Sequence, residues 1–421
     1  MRKPPLYDEV HALPVIDVHT HFETLTETFG YTMPQFFYYG CYFNCYRDLF
    51  DPSDIACVEN GGRDVREQFC ALLRLWEKIR DTRTGRLFSG MMQTLGCRME
   101  PDAFEPLLQW YTGRTAASIR AAMPTVRGFV CNSAGHPLYG GIPGLKQFLD
   151  GGRRPDEGMF RTLNVTELHS IRSLQQLQEL ETVSGRAITD LGSWSDACQT
   201  LIDRMKALGL TAFKDVFLYF RSPQIDYPIH ETAEREMAAF LRGEGMTQNL
   251  QNVMMFRIYE LAEAANLPMQ IHTGATLYTA GTANYMQDMI RLMQTFPRLQ
   301  FDLLHLNYPQ MESYLTVLRT CPNAWGDATW AFTVDPGYIR RYLDWILDAD
   351  IPQRHCLFGS DRHCAGLAVQ TVLDAMTQLL SGWLSERVES GYLSRSSAME
   401  LARMWLYENP KTLFHLDGMV E

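Results

Sequence analysis

The stretch VIDVHTHFE, residues 15–23, joins a short apolar run to two histidines that are one residue apart. Its apolar and β-branched positions predict a buried β-strand. Side chains alternate between the two faces of a strand, so His19 and His21 point to the same side. If the strand lines a closed barrel, that side is the interior, where two imidazoles are costly unless a metal or a hydrogen-bond partner satisfies them. Fold and function therefore depend on what the rest of the chain places beside this strand.

Seven further apolar runs are predicted as buried strands. They are VRGFVC (126–131), FRTLNV (160–165), LTAFKDVFL (210–218), LPMQIH (267–272), LQFDLLH (299–305), NAWGDA (323–328) and CLFGSD (356–361). Helical periods such as MMFRIYELAEAAN (254–266) lie between them. The alternation predicts an α/β fold with a parallel sheet, and eight strands favour a closed (β/α)8 TIM barrel, a single catalytic domain over residues 1–421. A doubly wound open sheet has the same alternation, but no strand is followed by a glycine-rich phosphate loop, so a Rossmann fold has no support.

Residues 24–120 form a segment that is too long for one loop of a barrel. It contains helix-like stretches, among them VREQFCALLRLWEKIRD (65–81), and we expect a mostly helical insertion after the first strand, beside the barrel mouth. Its aromatic-rich part, residues 34–50, is compatible with a lid, a subunit contact or plain helix packing.

Composition narrows the class of protein. The net charge is −11 over 421 residues and no long basic run is present, which argues against binding of nucleic acid. No apolar span is long enough for a membrane helix, and no signal peptide is visible. Ten cysteines without a CxxC pair fit reduced thiols in a cytoplasmic protein. We expect a cytoplasmic enzyme with a small-molecule substrate, and a homo-oligomer is left open.

Six side chains that can bind metals, or be converted to do so, lie at the ends of the predicted strands. They are His19, His21, Lys214, His272, His305 and Asp361. The carboxyl ends of parallel barrel strands meet at one mouth, where active sites are built. Each histidine alone fits a hydrogen-bonded core residue, and Asp361 alone fits a helix cap. Their conjunction favours a site for one or two transition-metal ions.

The motifs VIDVHTH, a lysine, IHTG, LLHLNYP, FGSD and ENPKTLFHL resemble the amidohydrolase superfamily of metal-dependent (β/α)8 barrels, and within it the "amidohydrolase 2" group. Residues 205–416 resemble that group almost throughout, whereas residues 24–200 match it only vaguely. The resemblance implies that His19 and His21 bind one metal, often with Asp361. It also implies that His305 binds a second metal or the substrate, and that His272 occupies a matching ligand position.

Lys214 bears on the number of metal ions. In binuclear branches of the superfamily, a lysine at the end of strand four is carboxylated by CO2 and bridges both ions. Burial lowers the pKa of a lysine and exposes a neutral amine that can react in this way. The alternative is a protonated Lys214 that pairs with Asp215, Asp361 or a substrate carboxylate. Zinc is the first candidate for the ion, and imidazole and carboxylate ligands also suit manganese, iron and nickel.

The resemblance and the site together predict a metal-dependent hydrolase that cleaves a C–N or C–O bond of a small carbonyl compound with metal-activated water. Asp361 is expected to move the proton from that water to the leaving group, and His305 to donate to the oxyanion. The candidates for substrate recognition, which favour an acidic substrate, are Arg161, Arg221, Trp330 and Arg362.

Two alternative reactions come from relatives of the same fold. One is decarboxylation of an aromatic acid. The other is interconversion of aldose and ketose uronates, which the chain length and the large N-terminal insertion favour. These isomerases resemble the chain less around FKDVFLYFR and IHTG, so hydrolysis ranks first. A non-catalytic barrel is disfavoured, because only function requires all six strand-end residues.

Overall fold

The computed structural model of the chain contains eight parallel strands that follow one another around the sheet in sequence order. They are β1 Val15–Thr20, β2 Val126–Cys131, β3 Met159–Asn164, β4 Leu210–Asp215, β5 Met269–His272, β6 Phe301–Leu304, β7 Ala324–Asp327 and β8 His355–Cys356. The structure describes residues 3–137, 140–152, 155–221, 225–274, 285–349 and 351–420. The predicted (β/α)8 TIM barrel is confirmed.

Helices cover the outside of the barrel and fill the segment after β1. They are α1 Tyr7–His11, α2 Met33–Gly40, α3 Pro52–Glu59, α4 Val65–Ile79, α5 Arg83–Thr94, α6 Phe104–Thr112, α7 Ala116–Ala122, α8 Gly141–Gly151, α9 Thr166–His169, α10 Leu174–Ser184, α11 Leu191–Ala207, α12 His230–Leu241, α13 Gln248–Ala265, α14 Met286–Thr295, α15 Met311–Thr320, α16 Ala331–Val334, α17 Pro336–Asp348, α18 Leu367–Glu389, α19 Arg395–Arg403 and α20 Asn409–Leu413. Within the described ranges, no helix has the length and apolar character needed to cross a membrane.

The segment between β1 and β2 holds helices α2 to α7 and has an apolar core of its own. Phe37, Phe69 and Phe88 are fully buried in that core. Cys364 and Leu367, which follow β8 in the chain, belong to the same cluster. The helical insertion therefore packs onto the segment that follows the last strand, beside the barrel mouth.

The barrel closes where β1 meets residues 358–362. The amide of Val18 donates to the carbonyl of Phe358 at 3.0 Å, and the amide of Asp361 donates to the carbonyl of His19 at 2.8 Å. The amide of His21 donates to the carbonyl of Arg362 at 2.9 Å. These three bonds hold β1 and residues 358–362 side by side. We call this junction between the two segments the seam.

Asp17 reinforces the seam from inside the barrel. Its carboxylate accepts from the amide of Ser360 at 2.9 Å and from the amide of His19 at 3.3 Å. The side chain is fully buried, and burial raises the pKa of Asp17 to about 7. One side chain therefore contacts both edges of the seam.

Two predicted strands end three or more residues before the end of their apolar runs. The predicted strand 210–218 ends at Asp215, because the Asp215 carboxylate accepts from the amide of Phe217 at 2.9 Å and Thr166 accepts from the amide of Val216 at 2.8 Å. The chain then turns into a short 3₁₀ helix, Phe217–Tyr219. Strand β8 pairs with β7 over two residues only, and residues 358–362 bond to β1 instead.

Replacing Asp17 by Ala is expected to lower the free energy of unfolding by about 1–3 kcal/mol, because two buried amides at the seam lose their acceptor. Asp17→Asn keeps an acceptor oxygen and adds no buried charge, so its stability is expected to stay near that of the wild type. Denaturant unfolding of the three proteins measures the difference. Equal destabilisation by both substitutions would show that the hydrogen bonds of Asp17 do not support the seam.

Candidate metal centre

The seam places Asp361 opposite the two histidines of β1. Its Oδ1 atom lies 2.9 Å from Nε2 of His21 and 3.6 Å from Nε2 of His19. One ligand atom from each of these three side chains lies within 4.8 Å of the other two. Among the described residues this is the only group of three or more His, Cys, Asp or Glu side chains with that spacing. It has the two imidazoles and one carboxylate that zinc and related ions accept.

The Nδ1 atoms of His19 and His21 each lie within hydrogen-bond distance of an acceptor. Nδ1 of His21 lies 3.2 Å from the carbonyl of Asn132, which can only accept, so Nδ1 carries the proton. Nδ1 of His19 lies 3.4 Å from Oε1 of Gln270. The amide nitrogen of Gln270 donates to the carbonyl of Val18 at 2.9 Å, which identifies Oε1 as the acceptor. In its neutral form, each ring therefore presents an unprotonated Nε2 to Asp361.

This arrangement fits a metal ion. A neutral His21 sets the lone pair of its Nε2 against a carboxylate oxygen at 2.9 Å, an unfavourable contact unless a proton or a metal cation is shared between them. Burial lowers the pKa of His19 well below its usual value, which favours the neutral, ligating ring. Burial raises the pKa of Asp361, but the hydrogen bond with His21 and the electrostatic interactions with the surrounding imidazoles outweigh it and hold that pKa well below the usual range.

Lys214 lies on β4 and is 1% exposed. Its Nζ atom has no hydrogen-bond partner among the described residues. Burial lowers the pKa of Lys214 to about 8, and the charges of Asp361, Asp302 and Asp327 oppose the shift. The amine is therefore mostly protonated at neutral pH, and a minor fraction of it is neutral. The structure is compatible with an ammonium group and with a carboxylated lysine.

His272 and His305 lie next to each other at the mouth, with ring centroids 4.3 Å apart. Nδ1 of His305 donates to the carbonyl of Thr329 at 3.1 Å, so a neutral ring has its lone pair on Nε2. Burial lowers the pKa of His305 to about 4, which keeps the ring neutral near pH 7. Nε2 of His272 lies 3.1 Å from the hydroxyl of Tyr219.

All six predicted ligand positions line one cavity of about 370 Å³. That volume suits a small molecule. The other lining residues are Tyr42, Asn132, His136, Val216, Tyr219, Phe220 and His363. None of these seven was among the predicted site residues. His136 and His363 flank His21, with ring centroids 5.5 and 4.9 Å away. The only sequence signals for them were the position of His136 after β2 and that of His363 two residues after Asp361.

The four residues predicted to recognise the substrate lie outside the lining of this cavity. Arg161 forms a buried ion pair with Glu23 at 3.1 Å. The guanidinium of Arg221 donates to Asn252, and that of Arg362 donates to the carbonyl of Gly40 at 3.0 Å. The Trp330 ring lies edge-on to His305 with centroids 5.8 Å apart. Arg362 therefore attaches the helical insertion to the segment 358–362 that carries Asp361. Substrate recognition by these four residues stays a prediction.

Comparison with known proteins extends these observations. Residues 179–416, more than half of the chain, match the family model described as amidohydrolase. The chain belongs to the amidohydrolase family. A uronate isomerase of Thermotoga sp. (strain RQ2) is 22% identical to it over 214 residues, which cover 46% of this chain and 47% of that relative. The chain thus spans about half the length of the curated relative it matches.

Solved structures share the fold over the whole chain. Glucuronate isomerase from Caulobacter crescentus superimposes with a TM-score of 0.76 at 16% identity, covering 99% of this chain and 95% of that one. A protein from Lactobacillus casei ATCC 334, whose description is that of a metal-dependent hydrolase, superimposes with a TM-score of 0.64 at 13% identity and covers 100% of both chains. At these identities the likeness establishes the fold alone.

Gln270 is expected to support metal binding through His19. Gln270→Met removes the acceptor of the His19 Nδ1 proton at similar side-chain volume, and we expect it to weaken zinc binding by about 10- to 100-fold. Titration of the metal-free protein with zinc measures the change. The matched control is Gln300→Met, since the Gln300 side chain accepts from Trp325 and does not line the cavity. Unchanged zinc affinity in Gln270→Met would contradict the assigned tautomer.

Proposed function

We propose that the chain is a metal-dependent hydrolase that cleaves a C–N or C–O bond of a small carbonyl compound, such as an amide, lactam or lactone. The observation that supports this proposal most directly is the group of His19, His21 and Asp361, which lines the same cavity as Lys214. A divalent ion held by these three residues would supply a Lewis acid and would lower the pKa of water toward neutrality.

Asp361 is the proposed proton carrier. The low pKa of its carboxylate keeps it ionised near neutral pH, so it can accept the proton of the attacking water. The protonated carboxyl group of Asp361 then delivers this proton to the nitrogen or oxygen that leaves the carbonyl carbon. The seam fixes this carboxylate through the bond from the Asp361 amide to the His19 carbonyl, which limits its movement during the transfer.

The donor role expected for His305 is not supported by its hydrogen bonds. Its one proton, on Nδ1, is given to the Thr329 carbonyl, and burial opposes a second proton on Nε2. A neutral His305 can therefore accept at Nε2 or ligate a metal, but it cannot donate there. We assign the donor to the developing oxyanion to Lys214 instead, because its ammonium group is buried at the cavity wall without a competing acceptor.

This assignment predicts that Lys214→Met lowers kcat by about 100- to 1000-fold while the metal of His19, His21 and Asp361 remains bound. Lys214→Arg is expected to recover part of that loss, since it restores a cation. Activity at one equivalent of metal is expected to be the same in bicarbonate-free and bicarbonate-containing buffer. A rate that rises with bicarbonate would instead indicate a carboxylated lysine as the working form, and would overturn the donor role.

A uronate isomerase is the second candidate, and the 22% identical relative is the observation that favours it. In that reaction, groups at the mouth would move a proton between neighbouring carbons of an aldose and no water would be consumed. His136 and His363, placed beside His21, are the candidates for such a transfer. Lys214 would then bind the carboxylate of the uronate.

One screen separates the candidates. The metal-reconstituted protein is incubated in H₂¹⁸O with N-acyl amides, lactams and lactones, and in parallel with aldose uronates and aromatic acids. We expect ¹⁸O in a new carboxylate of the product, formed by the wild type and lost in Asp361→Asn. Conversion of an aldose to a ketose without uptake of ¹⁸O in a carboxylate would favour the isomerase, and release of CO₂ would identify a decarboxylase. Either result would refute hydrolysis.

A further inference from the structure

Asp361 presents its carboxylate at the metal centre from a backbone conformation that residues with a Cβ atom rarely adopt. Its φ angle is +54°, in the left-handed region. Such conformations persist only where the surrounding structure fixes them, and they are common at active sites. One contact that fixes Asp361 comes from β1, since the Asp361 amide donates to the carbonyl of His19 at 2.8 Å. A second contact comes from the helical insertion.

Tyr42 of the insertion supplies the second contact, because its hydroxyl donates to the backbone carbonyl of Asp361. Tyr42 lies between α2 and a 3₁₀ helix, Phe43–Leu49, and also has a left-handed backbone, with a φ angle of +60°. Two hydrogen bonds of 3.1 Å fix that backbone, one from its amide to the carbonyl of Tyr39 and one from the amide of Cys45 to its carbonyl. The insertion therefore fixes the backbone from which the hydroxyl reaches Asp361.

The end of α2 lies close to the segment that carries Asp361. The guanidinium of Arg362 donates to the carbonyl of Gly40 at 3.0 Å and lies over the ring of Tyr42, 5.1 Å from its centroid. Gly40 has no side chain, and a Cβ atom there would lie 2.8 Å from Sγ of Cys364, closer than Cβ atoms come to other atoms in proteins. The close approach of the insertion to residues 361–364 therefore depends on a glycine at this position.

We propose that the contacts of Tyr42 and Gly40 form a clamp through which the helical insertion holds Asp361 in its ligating conformation. Tyr42 is a positioning residue, since it stabilises the backbone from which the Asp361 carboxylate reaches His21. Without the hydroxyl, the metal-free chain populates other conformations at Asp361, and the apparent affinity for a metal falls with the fraction of competent molecules. The inference rests on the metal centre of the proposed function, but its tests need no substrate.

The first test is a titration of the metal-free protein with zinc, in the wild type and in Tyr42→Phe, which keeps the ring and removes the hydroxyl. We expect the variant to bind zinc about tenfold more weakly, the effect of one lost hydrogen bond on an equilibrium. The matched control is Tyr46→Phe, because the Tyr46 hydroxyl lies 3.3 Å from that of Thr84 within the insertion and Tyr46 does not line the cavity. This control is expected to bind zinc like the wild type. Equal zinc affinities of the two variants would refute the clamp.

Hydrogen–deuterium exchange of the metal-free protein gives a reading that does not depend on zinc. In Tyr42→Phe we expect faster exchange of the Asp361 amide, which donates to β1, and unchanged exchange of the Leu357 amide, which donates to the carbonyl of Trp405 at 3.1 Å. Faster exchange of both amides would show a general loss of stability and would contradict a positioning role, as would unchanged exchange at Asp361. A wild type that binds no zinc would refute the proposed function, and the exchange would still decide whether the clamp exists.

Gly40→Ala tests the close approach by a second route. The added Cβ is expected to displace the end of α2 from Cys364 and to weaken zinc binding, as Tyr42→Phe does. Beyond its own helix and chain neighbours, Sγ of Cys364 is the only atom among the described residues that this Cβ would meet within 4 Å. The double variant Gly40→Ala, Cys364→Ala is therefore expected to bind zinc like Cys364→Ala alone. An effect of Gly40→Ala that persists without Sγ would overturn the clamp.

Discussion

Closure of the barrel between β1 and residues 358–362 is the constraint on which the site depends. Three backbone hydrogen bonds of 2.8 to 3.0 Å fix the register of these two segments. That register sets the Asp361 carboxylate against the two histidines of β1, although more than 300 residues of chain separate them. A slip of one residue would turn His19 and His21 away from the interior. The fold therefore builds the metal centre at its own point of closure.

The hydrogen-bond acceptors at Nδ1 determine which nitrogen of each imidazole has a free lone pair. The Asn132 carbonyl, Gln270 and the Thr329 carbonyl each hold an Nδ1 proton, so the Nε2 lone pairs are left for the cavity. This arrangement favours metal binding and removes a neutral His305 as a donor. Lys214 lines the cavity wall as a cation, and we therefore propose that it donates to the oxyanion.

Much of this architecture was predictable from the sequence, since the buried strands of a parallel barrel are continuous apolar runs and their carboxyl ends carry the polar residues. Strand β2 has the predicted bounds, and the six predicted ligand positions share one cavity. Tyr219 was not predictable, because β4 is ended by Thr166, a contact from another part of the chain. The partners of two arginines were not predictable for the same reason: Arg161 pairs with Glu23 and Arg362 donates to the carbonyl of Gly40, and both partners are distant in sequence.

Anomalous X-ray diffraction at the zinc edge, from crystals of the zinc-loaded protein, tests the metal centre most directly. We predict a peak within about 2.0–2.2 Å of Nε2 of His19, Nε2 of His21 and an oxygen of Asp361, the distances usual for zinc and these ligands. At one equivalent of zinc it should be the only strong peak in the cavity, with Lys214 free of extra atoms. A peak centred on His136 and His363, or none near Asp361, would contradict the assignment of the site.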